Sequence, residues 1–130
     1  MITTSDAGNI IYSACEPFGI DRYQGGNVPL GEVSRERIVI HPKEQTHDKI
    51  WSKCYVEVNF FVRNTDDDEA DLIRLSELER LAKRTLKATG VYDGTRYCYE
   101  VASTIRLENK NLKCWYINAK VLFKALNTIE

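Results

Sequence analysis

Hydrophobic and polar positions alternate most clearly in CYVEVNFFVRN. Cys54, Val56, Val58, Phe60 and Val62 fall on one face of a pleated strand, and Tyr55, Glu57, Asn59, Phe61 and Arg63 on the other. The period then changes. In TDDDEADLIRLSELERLAKRTLKATG, Leu72, Leu75, Leu78, Leu81, Ala82 and Leu86 recur at helical spacing, and Gly90 follows the last turn. A strand with one apolar face followed by a helix with a leucine stripe predicts a helix packed on a sheet. Upstream, residues 5–16 read as a first helix, capped by Thr4 or Ser5, striped by Ile10, Ile11, Ala14 and Cys15, and ended by Pro17 and Gly19. The Gly-containing polar segment 18–36 reads as a long connection, and RIVIH, 37–41, as a strand closed by Pro42. A polar arm, 42–50, joins it to the central strand.

The last third predicts a hairpin. Tyr97, Tyr99, Val101, Ser103 and Ile105 alternate with Cys98, Glu100, Ala102, Thr104 and Arg106, and ENKN makes the turn at 108–111. The returning strand sets Trp115, Ile117, Ala119, Val121 and Phe123 against Cys114, Tyr116, Asn118, Lys120 and Leu122. The order α-β-β-α-β-β predicts one α+β domain spanning 1–130. Its expected architecture is a two-layer sandwich, about four strands in a mixed or antiparallel sheet with two helices on one face. The other face would then be bare, with Tyr55, Phe61 and Tyr116 among polar residues, and several aromatics on one open face call for something to cover them.

Composition narrows the function classes. The 130 residues are 43% hydrophobic and 28% charged, ordinary for a folded domain, and 18 basic side chains against 19 acidic ones leave a net charge of −1. A duplex-binding domain normally shows a basic excess, so nucleic acid is disfavoured as the main ligand. Cys15, Cys54, Cys98 and Cys114 form no CxxC pair and mostly sit in strand-like segments, where thiols act as small apolar side chains. No signal-peptide pattern and no run of about 18 apolar residues is present, so a soluble protein in a reducing compartment is expected.

Candidate chemistry is sparse. His41, Glu44, His47 and Asp48 are four metal-ligand types close together, but Pro42 denies the pair of histidines a shared helix, and a solvated arm is the better reading. The acidic run Asp66, Asp67, Asp68, Glu69 and Asp71 lacks the pattern of a calcium loop. It stands where a helix cap and first-turn acids belong, with Lys83, Arg84 and Lys87 at the opposite end. A nuclease-like set of Glu57, Lys53 and these aspartates is not required by any spacing. There is no nucleophile elbow and no phosphate-binding glycine loop. No enzyme, cofactor or metal centre is expected.

Taken whole, the chain resembles the tail terminator, or tail completion, proteins of long-tailed bacteriophages and prophages. The resemblance lies in size, in the element order, in the IVI strand and long polar loop, and in the VEVNFFV strand. The acid-capped DEADLIRLSELERLAKRTL helix, the TRYCYEV strand and the closing VLFKAL extend it over nearly the whole chain. It implies a non-enzymatic virion protein that forms a hexameric ring, caps the tail tube and joins it to the head-side connector. The implied partners are itself, the tail tube protein and the head-tail connector protein, with no small-molecule substrate and no membrane. The implied location is the virion tail, assembled in the bacterial cytoplasm. Tyr23, His41, His47, Trp51, Tyr55, Phe61, Arg63 and Tyr116 are the candidate contact residues, on segments 18–36 and 42–50 and on the open face. Two alternatives stand beside it. One is another connector or stopper protein of the same particle. The other is a nucleic-acid-binding α+β module using Arg63, Lys113 and Lys120 near Tyr55 and Tyr116.

Overall fold

The computed structural model describes residues 1–29 and 31–127. Helix α1 (Thr4–Ala14) starts at Thr3, whose hydroxyl accepts from the Asp6 amide at 3.1 Å, while the Asp6 carboxylate accepts from the Thr3 amide at 2.9 Å. This reciprocal box satisfies two of the helix's orphan donors and moves the start ahead of the expected Thr4 or Ser5. A 3-10 turn (Glu16–Phe18) closes on Gly19 at φ 67°. Strands β1 (Asp21–Gln24), β2 (Arg37–His47) and β3 (Trp51–Arg63) follow. Helix α2 (Leu72–Thr85) is capped by Asp71, which accepts from the Arg74 amide at 3.2 Å. Strands β4 (Ala88–Tyr92), β5 (Thr95–Asn109) and β6 (Cys114–Leu126) complete the order.

The expected four-stranded layer with two helices on one face is wrong. Among the described residues the sheet has six strands in the order β1-β2-β3-β6-β5-β4, with β1 parallel to β2 and every other pair antiparallel. It is mixed and curled into a half-barrel, and about 48% of the residues lie in strands. The curl follows from what α1 touches. Across a flat sheet β2 and β4 would stand roughly 19 Å apart, at about 4.8 Å per strand. Yet α1 packs on β2 and also receives, on Asp6, a hydrogen bond from the Tyr92 hydroxyl at the end of β4, at 3.3 Å. The sheet therefore wraps around the helix. Ala7, Ile11 and Cys15 of α1 and Leu75, Leu78, Ala82 and Leu86 of the second helical segment meet Val56, Val58, Phe60, Val121 and Phe123 in one core. Burying each of the larger side chains contributes about 1.5–3 kcal/mol.

Two irregularities set which side chains face out. Between β2 and β3 the register slips between Pro42 and Gln45, where two residues of β2, Lys43 and Glu44, stand against one of β3, Tyr55. Pro42 therefore does not end the strand. Its ring lies against Gly8 of α1, where an added Cβ would come within 3.2 Å of it. Between β5 and β6 the register slips at Ala102. Ser103 and Ile105, expected beside Tyr97 and Tyr99, turn outward instead. Thr104 and Arg106 turn inward, Thr104 donating to Glu79 of α2 and Arg106 lying over Trp115.

Candidate interaction surface

The outer face of the sheet divides into a covered half and a bare half. Over the covered half, residues 25–29 and 31–36 lie back across β2, β3 and β6. The Gly25 amide donates to Ile40 O at 2.9 Å, the Val33 amide to Leu112 O at 3.1 Å, and Lys113 meets Glu32 at 3.3 Å. Beneath it Val33, Val39 and Cys114 are buried apart from the main core. Phe61 and Tyr116, directly opposed on β3 and β6, stack at 4.8 Å, and the Arg37 guanidinium lies 5.7 Å from the Phe61 ring. Arg37 is only 8% exposed; one of its terminal nitrogens donates to Pro29 O at 3.2 Å. Burial pushes the Cys114 thiol up to about 11, with Arg37 pulling weakly the other way.

The bare half is a trough along β3, β6 and β5. A cleft of about 660 Å³ is lined by Lys43, Lys53, Tyr55, Glu57, Lys120 and Leu122. A second of about 400 Å³ shares Leu122 and continues to Lys124, Cys98 and Glu100. Lys120 sits 5.0 Å over the Tyr55 ring and Lys124 5.4 Å over the Trp51 ring, each cation against a π face. Tyr55 is 41% exposed and Ile105 54%. Glu57 holds Lys43 at 3.2 Å and Asp48 holds Lys53 at 3.5 Å. Lys53 and Lys124 stand directly opposite one another in the β3–β6 ladder. Like charges so placed repel unless an anion lies near.

The eight sequence-predicted contact residues separate. Trp51 and Tyr55 share the bare trough, and Phe61 and Tyr116 form one stack under segment 25–36. Tyr23 lies at the sheet edge on β1, beside Val39. Arg63 is at the far end of β3 and pairs with Asp66 at 3.4 Å. His41 and His47 part company because the slip after Pro42 reverses the facing of β2. His41 pairs with Glu57 on the outside, its ring packed so closely on Gly25 that an added Cβ there would come within 2.4 Å. His47 is on the inner rim, where its Nδ1 lies 2.7 Å from the Ser52 hydroxyl, which donates to Asn127 at 2.5 Å. Ser52 thus links His47 of β2 to Asn127, just past the end of β6. Among the described residues, no three His, Cys, Asp or Glu side chains converge as metal ligands. Sequence reasoning missed Lys53, Lys124, Leu122 and Ile105. The first three follow from the outer registers of β3 and β6, while Ile105 is hidden by the slip at Ala102.

Segment 18–36, expected to be an unstructured connection, contains β1 and the cover over Phe61 and Tyr116. The arm 42–50 is mostly β2 itself, and only residues 48–50 turn. Asp71 caps α2 as expected. The remaining acids form an exposed turn before it: the Asp68 amide donates to Thr65 O at 2.9 Å and the Thr65 amide to Glu69 O at 2.8 Å. Behind this turn Leu72 is 54% and Ile73 80% exposed. Arg74 closes a two-pronged ion pair with Glu36, at 2.5 and 2.8 Å, tying α2 to the entry of β2. No described helix is long and apolar enough to cross a membrane.

No protein-family model and no curated protein matches this chain. Among solved structures it is similar to one whose name states no function. That alignment covers 98% of this chain and 96% of the other at 10% identity, with a TM-score of 0.48. A likeness at this level bears on neither function nor mechanism.

Proposed function

We propose that this protein is a non-enzymatic assembly subunit of a phage-type tail, a terminator that closes as a ring of copies on the tube end and offers a surface to the head-side connector. The observation that supports it best is the bare trough on β3, β6 and β5. Its exposed Tyr55 and lysine-capped Trp51, with Ile105 exposed further along the outer face of β5, leave apolar surface that a self-sufficient monomer would cover. Repeated copies are a natural cover, since a surface that meets a different patch on its neighbour generates rings when the rotation closes. The partners in this reading are further copies of the chain, a tube protein and a connector protein, within the virion tail. Light scattering on the purified chain, with negative-stain images of the same sample, tests it. A discrete species of about six subunits seen as a ring is the expected result, and a monomer at every concentration that also fails to bind a tube end refutes it.

A nucleic-acid-binding role is the second reading, favoured by the Lys120–Tyr55 and Lys124–Trp51 pairs, because aromatics stack bases and lysines neutralise phosphates. The other two cations expected to serve it, Arg63 and Lys113, are paired with Asp66 and Glu32. A binding isotherm on single-stranded DNA, repeated across salt, separates the two, and no binding at low salt removes it.

A further inference from the structure

We propose that the acidic turn of one copy, residues 65–71 with Leu72 and Ile73 behind it, seats in the lysine-lined trough of a second copy and forms the repeating contact of the assembly. This inference rests on the ring reading above and specifies its interface.

Each half of the contact carries charge that forms no ion pair within its own chain among the described residues, although Glu57, committed to Lys43, stands opposite Lys120 and Asp48 holds Lys53. In the trough, Lys120 and Lys124 have no carboxylate within 4.0 Å among the described residues, and Lys124 directly opposes Lys53. Asp48 serves Lys53, so of the two lysines set opposite each other across the sheet Lys124 is the one left facing a like charge without its own counterion. In the turn, Asp67 and Glu69 are exposed and make no ion pair among the described residues, whereas Asp66 is held by Arg63 and Asp71 by the helix start. Apolar surface is matched in the same way. Leu72 and Ile73 project beside the acids, and Leu122, Tyr55 and Trp51 line the trough beside the lysines. A salt-bridged rim around an apolar anchor is the make-up of a specific protein interface.

Geometry forbids one copy from satisfying itself. Lys124 stands opposite Lys53 near the start of β3 and Lys120 opposite Glu57, whereas Arg63, which leads into the acidic turn, is the last residue of that strand. Six to ten residues of strand separate them, roughly 20–33 Å at about 3.3 Å per residue. That distance is several Debye lengths at physiological salt. The contact must therefore be made between copies, with different surfaces on the two sides, and such a contact propagates head to tail. The Glu36–Arg74 ion pair anchors the base of the turn to the sheet, so the knob is presented in a fixed position.

The test is a charge exchange on the full chain, read by light scattering across protein concentration and salt. Lys120→Glu with Lys124→Glu reverses the trough, and Asp67→Lys with Glu69→Lys reverses the turn without touching the Asp71 cap. Each pair alone is expected to weaken self-association roughly a hundredfold, and the fourfold variant is expected to restore it. Ile73→Asp should weaken association at all salt concentrations. Circular dichroism confirms that each variant is folded, and the salt dependence of the wild-type chain gives a measurement that needs no variant. Rings whose mass is unchanged in both pairs overturn this interface and leave the ring reading standing. Failure of the fourfold variant to recover overturns it also. A wild-type chain that stays monomeric at every concentration removes both. Loss of single-stranded DNA binding in the lysine pair, with no change in mass, assigns the trough to nucleic acid instead.

Discussion

Replacing Glu36 by Gln should loosen the attachment of α2 to the sheet by a calculable amount. The carboxylate accepts two hydrogen bonds from the Arg74 guanidinium, at 2.5 and 2.8 Å, and the two side chains are 27% and 30% exposed. With charge centres about 4 Å apart and an effective dielectric of about 20, the attraction is roughly 4 kcal/mol. Ordering the arginine costs up to about 2 kcal/mol, and both groups give up part of their hydration. What survives is about 1–1.5 kcal/mol, above the usual surface pair because the fork fixes both bonds at once. Glu77, 3.8 Å from the same guanidinium, recovers little of it because its own side chain is 55% exposed. The assay is urea unfolding of wild type, Glu36→Gln, Arg74→Met and the double variant. A coupling of about 1 kcal/mol, a fall in midpoint with unchanged slope, and a melting temperature lower by roughly 3–5 °C are expected. Part of the loss should be absent in high salt, which already weakens the wild-type pair. A coupling below about 0.3 kcal/mol would refute the reasoning and reduce the pair to a surface contact.

Three further outcomes follow from the core and the termini. Phe60→Ala removes a fully buried ring that packs edge-on against Phe18 at 5.1 Å, and should cost about 3–5 kcal/mol in denaturant unfolding. Burial pushes Cys15 up to about 12 and Cys54 and Cys114 to about 11, so at about pH 8 a thiol reagent should label half-exposed Cys98 first. The other three should label only at the rate of unfolding, followed by mass spectrometry. The Thr3 amide, the chief cause, holds the Asp6 carboxyl below its usual value. Its stabilising effect is therefore complete above the unfolded carboxyl value of about 3.9 and is lost as pH falls through the lower folded value. Asp6→Asn should flatten acid unfolding below about pH 4 and leave the neutral-pH profile unchanged in shape.

The large elements were legible because they carry strong periods, but the six-stranded curled sheet they build was not. The alternation in β3 and the leucine stripe of α2 placed both, and the returning strand from Cys114 was correct in facing as well as position. What was not legible is governed by neighbours. DRYQ has no apolar alternation and becomes β1 only because β2 offers it a parallel edge. ATGVY reads as a helix end, yet Gly90 is a strand residue whose missing side chain makes room for the Tyr97 hydroxyl, 2.5 Å from where a Cβ would be. The two register slips are invisible in sequence, and each reverses the facing of everything beyond it. That is why the histidines separate and why Ile105 turns to the outer face. The aromatics of the candidate surface and Lys120 were found, whereas Lys53 and Lys124 as surface residues needed the pairing of β3 with β6.

Sheet order also bears on how the molecule is made. The strand that comes last in chain order, β6, lies at the centre, between β3 and β5. A chain emerging from the ribosome can pair β1, β2 and β3, and separately β4 and β5, but these remain two unjoined pieces until β6 is available to enter between them. Lys120 and Lys124 arrive on that same strand. The trough thus comes into being only with the last step of folding, so a nascent chain cannot recruit a neighbour before its own sheet is whole.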